Sequence, residues 1–245
     1  MKRSMMVTVL CLICTIMIKS QITDAGKRWD FPVKPGTEEW KRLDSYWDFV
    51  AVSQIPEDVL TALPTDELAE ICLEYPLLLS IVFSNNYDES IENFLAHFNG
   101  AGELFKRGDA SDALLKQYQA KMQDLSFLNE IPLGVEAGFF VFNIAAQELL
   151  LSRCIIRADK NREGYREIMQ HLISSYEEKL LYQDAFYGEP FNINLYARAK
   201  TLIKTGAKIL EQIPQRENNP VFRKGIADEQ TKKIINDLSY QFIKK

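Results

Sequence analysis

The chain has 245 residues, 47% of them apolar, and a formal net charge of -5. That size provides for one sizeable core, and 11 glycines and 9 prolines are too few for wholesale disorder. An acidic chain with no cluster of basic residues repels a phosphate backbone, so nucleic acid is not expected as a partner.

The sequence begins with Lys2-Arg3, an apolar run over residues 5–18, then Lys19-Ser20-Gln21. A basic start, a short apolar centre and a small residue before a polar one form the layout of a secretory signal peptide over residues 1–20, cut after Ser20. The run is shorter than the roughly 20 residues a bilayer crossing needs. A secreted or periplasmic mature chain without a stable transmembrane span is therefore expected, with a retained anchor or lipid tether as the alternative. Bulky Ile13 before Cys14 argues against a lipoprotein cleavage site. Cys11 and Cys14 leave with the leader. Cys72 and Cys154 lie within apolar helical patterns and are read as buried thiols, although an oxidising compartment permits a disulfide between them.

Residues 21–36 read as an extended, proline-rich lead-in. Thr37 then caps a helix with Glu38 and Glu39 in its first turn; Trp40, Leu43, Trp47 and Val50 recur at helical spacing and predict one inward face. Pro56 and Pro64 each restart a helix, with Leu68, Ile71, Cys72 and Tyr75 as a buried stripe that Pro76 ends. The run over residues 77–83 reads as buried. After Asn85-Asn86, a helix opening at Asp88 carries Ile91, Phe94, Leu95 and Phe98 on one side, and Asn99-Gly100 closes it. Shorter amphipathic pieces follow through Leu114-Leu115-Tyr118 and Leu125-Phe127-Leu128.

Residues 133–157 are apolar on nearly every side and predict a central buried helix. Glu136, Asn143 and Gln147 interrupt the run, which distinguishes it from a membrane span. Tyr165, Ile168, Met169, Leu172, Ile173, Tyr176 and Leu180 give an amphipathic helix, residues 184–194 a loop, and Ala199 to Ile213 a helix stopped by Pro214. A last helix runs through Ile226, Ile234, Ile235, Leu238 and Phe242. Period-two alternation is almost absent, so the expected class is all-α. The expected form is an irregular orthogonal helical bundle or a solenoid-like stack of helix pairs over residues 37–245, a single domain with a weak division near 130 as the alternative.

Gln54-Ile-Pro-Glu-Asp-Val-Leu60 and Pro64-Thr-Asp-Glu-Leu-Ala-Glu-Ile-Cys72-Leu-Glu-Tyr-Pro76-Leu, with Phe31-Pro-Val-Lys-Pro-Gly-Thr-Glu-Glu-Trp40 before them, resemble a pattern found in a group of exported, functionally uncharacterised bacterial proteins. The resemblance covers roughly the first third of the mature chain. It implies an all-helical secreted protein of bacterial type and supplies no catalytic residue.

Reactive constellations are sparse. His97 and His171 each stand alone on a helix, so no metal site is expected. There is no G-x-S-x-G elbow and no glycine-rich phosphate loop after a strand, so no cofactor is expected. A Cys72 or Cys154 nucleophile paired with His171 has no motif behind it. Glu136 and Glu148 could serve as the paired carboxylates of a hydrolase acting on cell-envelope or polysaccharide substrates, since desolvation in an apolar helix raises a carboxyl pKa. The simpler reading places Glu136, Asn143, Gln147 and Cys154, which fall within about 40° on a wheel of 3.6 residues per turn, on a strip where the central helix meets solvent. Tyr182, Phe186, Tyr187, Phe191 and Tyr196 crowd around the loop over residues 184–194, where aromatics either anchor the loop or recognise a sugar or peptide. A non-catalytic binding or structural module is the leading expectation, with a protein, peptide or glycan as partner; the carboxylate hydrolase is the alternative.

Overall fold

The computed structural model describes residues 28–244 apart from 124, 131–133, 158–161 and 187. The expected signal peptide, its cut after Ser20, the first part of the lead-in and Tyr187 lie outside the described residues. Contacts divide the chain into Met1–Asp30 and Phe31–Lys245, and every described helix lies in the second unit. Among the described residues that unit is built of α-helices and short 3-10 turns, with no strand. The protein is an all-α helical bundle.

The helix expected from Thr37 is split. Thr37 Oγ1 does accept the Trp40 N–H at 3.2 Å, but only a 3-10 turn, Trp40–Arg42, follows. Ser45 then opens α1 (Tyr46–Val52) through a capping box with Asp48. The break resets the helical phase, so Val50 is buried while Trp47 stands 58% exposed. α2 (Glu57–Ala62) and α3 (Thr65–Leu73) start after Pro56 and Pro64, and Leu68, Ile71 and Cys72 are buried. A 3-10 turn, Leu78–Ile81, comes next; Leu78, Ile81 and Val82 are buried, whereas Phe83 of the run expected to be buried is exposed.

Asn99-Gly100 does not close α4 (Tyr87–His97) as expected. It opens α5 (Asn99–Leu104), with Phe98 as an extended joint. The Asn99 amide donates to the Ile55 carbonyl at 2.7 Å and its oxygen accepts the Ile55 N–H at 3.0 Å. A Cβ on Gly100 would lie 2.5 Å from the Phe98 ring and 2.8 Å from Ile55. The Asn-Gly pair thus serves close packing between distant segments.

α6 (Ala110–Met122), α7 (Val135–Arg157), α8 (Arg162–Leu181) and α9 (Glu189–Lys204) form the centre. α7 packs on α9 and α6 above all, and also on α3 and α4. Ile144, Ala145, Ala146, Leu149, Leu150, Leu151 and Ile155 are fully enclosed. By length and composition Val135–Ile155 could cross a bilayer, but 61% of that window is buried inside the fold.

Part of the expected loop over residues 184–194 is helical, because α9 begins at Glu189 behind Gly188 at φ 75°. The helix expected through Ile213 is also interrupted. Gly206 at φ 74° accommodates a Schellman turn in which its N–H reaches the Ile203 carbonyl and the Ala207 N–H the Leu202 carbonyl. α10 (Ile209–Gln212), α11 (Val221–Lys224) and α12 (Glu229–Lys244) complete a second core of Met169, Leu195, Leu202, Ile209, Phe222 and Ile235. Ile226 lies outside α12 and is exposed.

Candidate functional site

Two places gather polar and aromatic side chains. The first is closed. Glu148 of α7, Ser175 and Lys179 of α8 and Asn194 of α9 are buried, as is Tyr118 of α6. Glu148 Oε1 accepts from Tyr118 Oη at 2.6 Å, Lys179 Nζ at 2.7 Å, Asn194 Nδ2 at 2.8 Å and Ser175 Oγ at 3.3 Å. Lys179 also lies 5.5 Å from the centre of the Phe186 ring. Burial pulls the Lys179 ammonium down, partly offset by Glu148, and pushes the Tyr118 phenol well up. Four helices therefore meet at one carboxylate oxygen. All four donors reach the same oxygen, while Glu148 Oε2 is buried with no hydrogen bond among the described residues; losing one partner of the ion pair leaves the other charge stranded.

Glu148 and Glu136 cannot be an acid–base pair for glycan hydrolysis. Twelve residues of α7 separate them by about 18 Å along the axis at 1.5 Å per residue, beyond the roughly 5–9.5 Å such carboxylates span. Glu136 is exposed and Glu148 enclosed.

The expected solvent strip on α7 is corrected in the same way. Glu136 meets water, but Gln147 and Cys154 are buried. Asn143 Oδ1 accepts from Lys121 Nζ at 2.7 Å and from Gln147 Nε2 at 2.8 Å, while its amide donates at 3.0 Å to the carbonyl of Leu73, the last residue of α3. The strip ties α7 to α3 and α6 because helix-end carbonyls need donors. Cys72 and Cys154 are buried and not joined in a disulfide, and burial pushes the Cys72 thiol up, away from a nucleophilic thiolate. His171 faces Gln119 at 2.7 Å. Among the described residues no group of three His, Cys, Asp or Glu side chains could hold a metal ion.

The aromatic loop residues divide. Phe186 and Tyr196 are fully buried, the latter with its hydroxyl donating to Asp88 at 2.7 Å. Phe191 is half-buried and packs edge-on against Tyr176 at 5.5 Å; Tyr182 is half-buried. Phe186 and Tyr196 therefore pack inward instead of forming a recognition surface.

The second place is open, a groove of about 400 Å³ where α1, the Leu78–Ile81 turn and α4 meet. Its floor is aromatic: Tyr75 stacks on Phe98 at 4.1 Å and 20°, with Phe94 tilted 5.5 Å away. Tyr46 lines it and is exposed; Trp47, exposed next to it, lies 5.3 Å from Tyr46 and meets the ring of the lining residue His97 edge-on at 4.9 Å. Ser84 and Ser90 are occupied holding backbone oxygens of Asn86, Ile81 and Tyr87. The side chains of Tyr46, Tyr75, Glu89 and Asn93 make no hydrogen bond among the described residues. Burial pushes the Tyr75 phenol up, so it is a neutral donor. Among the described residues that line it, Glu89 is the one carboxylate.

Periodicity missed this groove. It placed Trp47 on the inward face and left His97 as an isolated histidine, because neither the break before Ser45 nor the return of α4 to α1 is written in local spacing. The signal available was the run Tyr46-Trp47 beside a strong N-cap. No family model matches the chain, and neither the curated proteins nor the solved structures contain a match.

Proposed function

We propose that the protein is an exported, non-catalytic carbohydrate-binding module whose ligand surface is the groove between α1 and α4. The supporting observation is the exposed Tyr46 and Trp47 pair set beside open neutral polar groups. A pyranose presents an apolar C–H face and a rim of hydroxyls that both donate and accept. An aromatic rim serves the first, and amide, phenol and carboxylate groups serve the second. The volume falls within the roughly 300–1,000 Å³ of ordinary ligand sites. The lone carboxylate supports binding over hydrolysis, which uses two. Export is supported by the layout of residues 1–20.

Isothermal titration against a panel of neutral oligosaccharides tests this. At least one is expected to bind saturably, and Trp47→Ala and Asn93→Ala should each weaken it about tenfold, or roughly 1.4 kcal/mol. Absence of binding across the panel, or full affinity in both variants, overturns the reading.

A further inference from the structure

A larger cleft of about 570 Å³ lies where the start of α8, the end of α9 and the end of α12 converge. Its base is apolar: Tyr165 is buried, and Leu238 and Phe242 are half-buried against the second core. Arg162, Lys204 and Lys208 stand exposed around it. Among the described residues that line it none is acidic, in a chain with 34 Asp and Glu against 29 Lys and Arg.

Helix electrostatics accounts for only part of this. Lys204 ends α9, where the dipole favours a cation. Lys208 has Glu211 at 3.6 Å. Arg162, by contrast, is the first residue of α8, the end at which the dipole disfavours positive charge. It is held over the Phe242 ring, 5.8 Å from its centre. The Schellman turn at Gly206 ends α9 here and leaves Lys204 at the cleft beside it.

We propose that this cleft binds an amphiphilic organic anion, its single carboxylate or phosphate head held by Arg162 and Lys204 and its apolar body lying on Tyr165, Leu238 and Phe242. The two cations supply the charge-assisted donors such a head takes, and the aromatic and aliphatic base covers hydrocarbon that water disfavours. This site is separate from the saccharide groove and does not rest on it.

The test is calorimetric titration of the full chain with dodecanoate, dodecyl phosphate and a neutral dodecyl oligoethylene glycol ether, each below its micelle concentration. One or both anions are expected to bind saturably at one site, the tighter of the two identifying the head group, and the neutral ether at least tenfold more weakly. Arg162→Gln with Lys204→Gln should weaken anion binding at least tenfold, while Lys41→Gln, far along the chain, and Trp47→Ala leave it unchanged. The proposal is overturned if neither anion saturates by about 1 mM, equivalent to roughly 4 kcal/mol, or if the neutral ether binds as well as the anions. It is equally overturned if the double variant keeps wild-type affinity, or if Lys41→Gln or Trp47→Ala loses as much as the double variant. The comparison of anion with neutral ether needs no variant, so it stands even if the double variant fails to fold.

Discussion

Around Glu148, a tyrosine, a serine, an amide and a lysine are closed off from water and converge on one oxygen. In the groove beside Trp47, Tyr46, Asn85, Asn93 and Glu89 stand exposed above an aromatic floor. The residue types are much the same, and accessibility separates their roles. In the closed cluster each donor has a protein partner whose removal strands another group, so its contribution is to stability and to the choice of helix neighbours. In the open groove several polar side chains have no hydrogen-bond partner among the described residues, so they can be altered without unfolding the chain and can engage something outside it.

Breaking the closed cluster should have the largest effect. Lys179→Met leaves Glu148 charged, enclosed and without its counter-ion, and urea denaturation should show a loss of about 3–5 kcal/mol. Adding Glu148→Leu should recover most of that loss; a double variant as unstable as the single one would mean that shape, and not charge, dominates at this point. Tyr118→Phe removes one of four donors and should cost about 1–3 kcal/mol.

The pH dependence sharpens the same contrast. With its folded pKa depressed, Lys179 releases its proton in the native state at a lower pH than in the unfolded chain, whose lysines titrate near about 10.4. Between those points the unfolded state binds more protons, so this group makes stability rise with pH. Tyr118 and Tyr196 act oppositely: buried with raised pKa, they keep protons in the native state above about pH 10, where unfolded tyrosines lose them, so stability falls there. Urea midpoints should climb as pH rises toward about 10 and turn down above it. In the Lys179→Met, Glu148→Leu pair the climb should flatten while the fall persists. A climb of undiminished slope in that variant would place the titrating group elsewhere.

The smallest expected stability change belongs to the open groove. Trp47→Ala should move the unfolding free energy by no more than about 0.5 kcal/mol, as exposed substitutions do. A loss of several kcal/mol would place Trp47 in the packing of α1.

The class of fold was legible because helical spacing is a local property. Leu68, Ile71 and Cys72, or Tyr165, Ile168, Met169 and Leu172, announce their buried faces within three turns. Pro56 and Pro64 marked helix starts for equally local reasons. What could not be read depended on distant partners. Asn99-Gly100 looks like a helix stop until Ile55 is beside it. Phe186 and Tyr196 look like loop aromatics until Lys179 and Asp88 reach them. Glu148 resembles a reactive carboxylate in an apolar helix, and the lysine that pairs with it is 31 residues away. Gly225 carries no local signal of its constraint, yet a Cβ there would lie 1.9 Å from the Asn192 carbonyl oxygen.

The division between a closed cluster that stabilises and an open groove that recognises is tested most directly by tryptophan fluorescence during titration with the neutral oligosaccharide panel, on wild type and on Trp47→Ala. The expected result is a saturable change for at least one saccharide in wild type that vanishes in Trp47→Ala, with both proteins melting at nearly the same temperature. No change with any saccharide, or an undiminished response in Trp47→Ala, would contradict it.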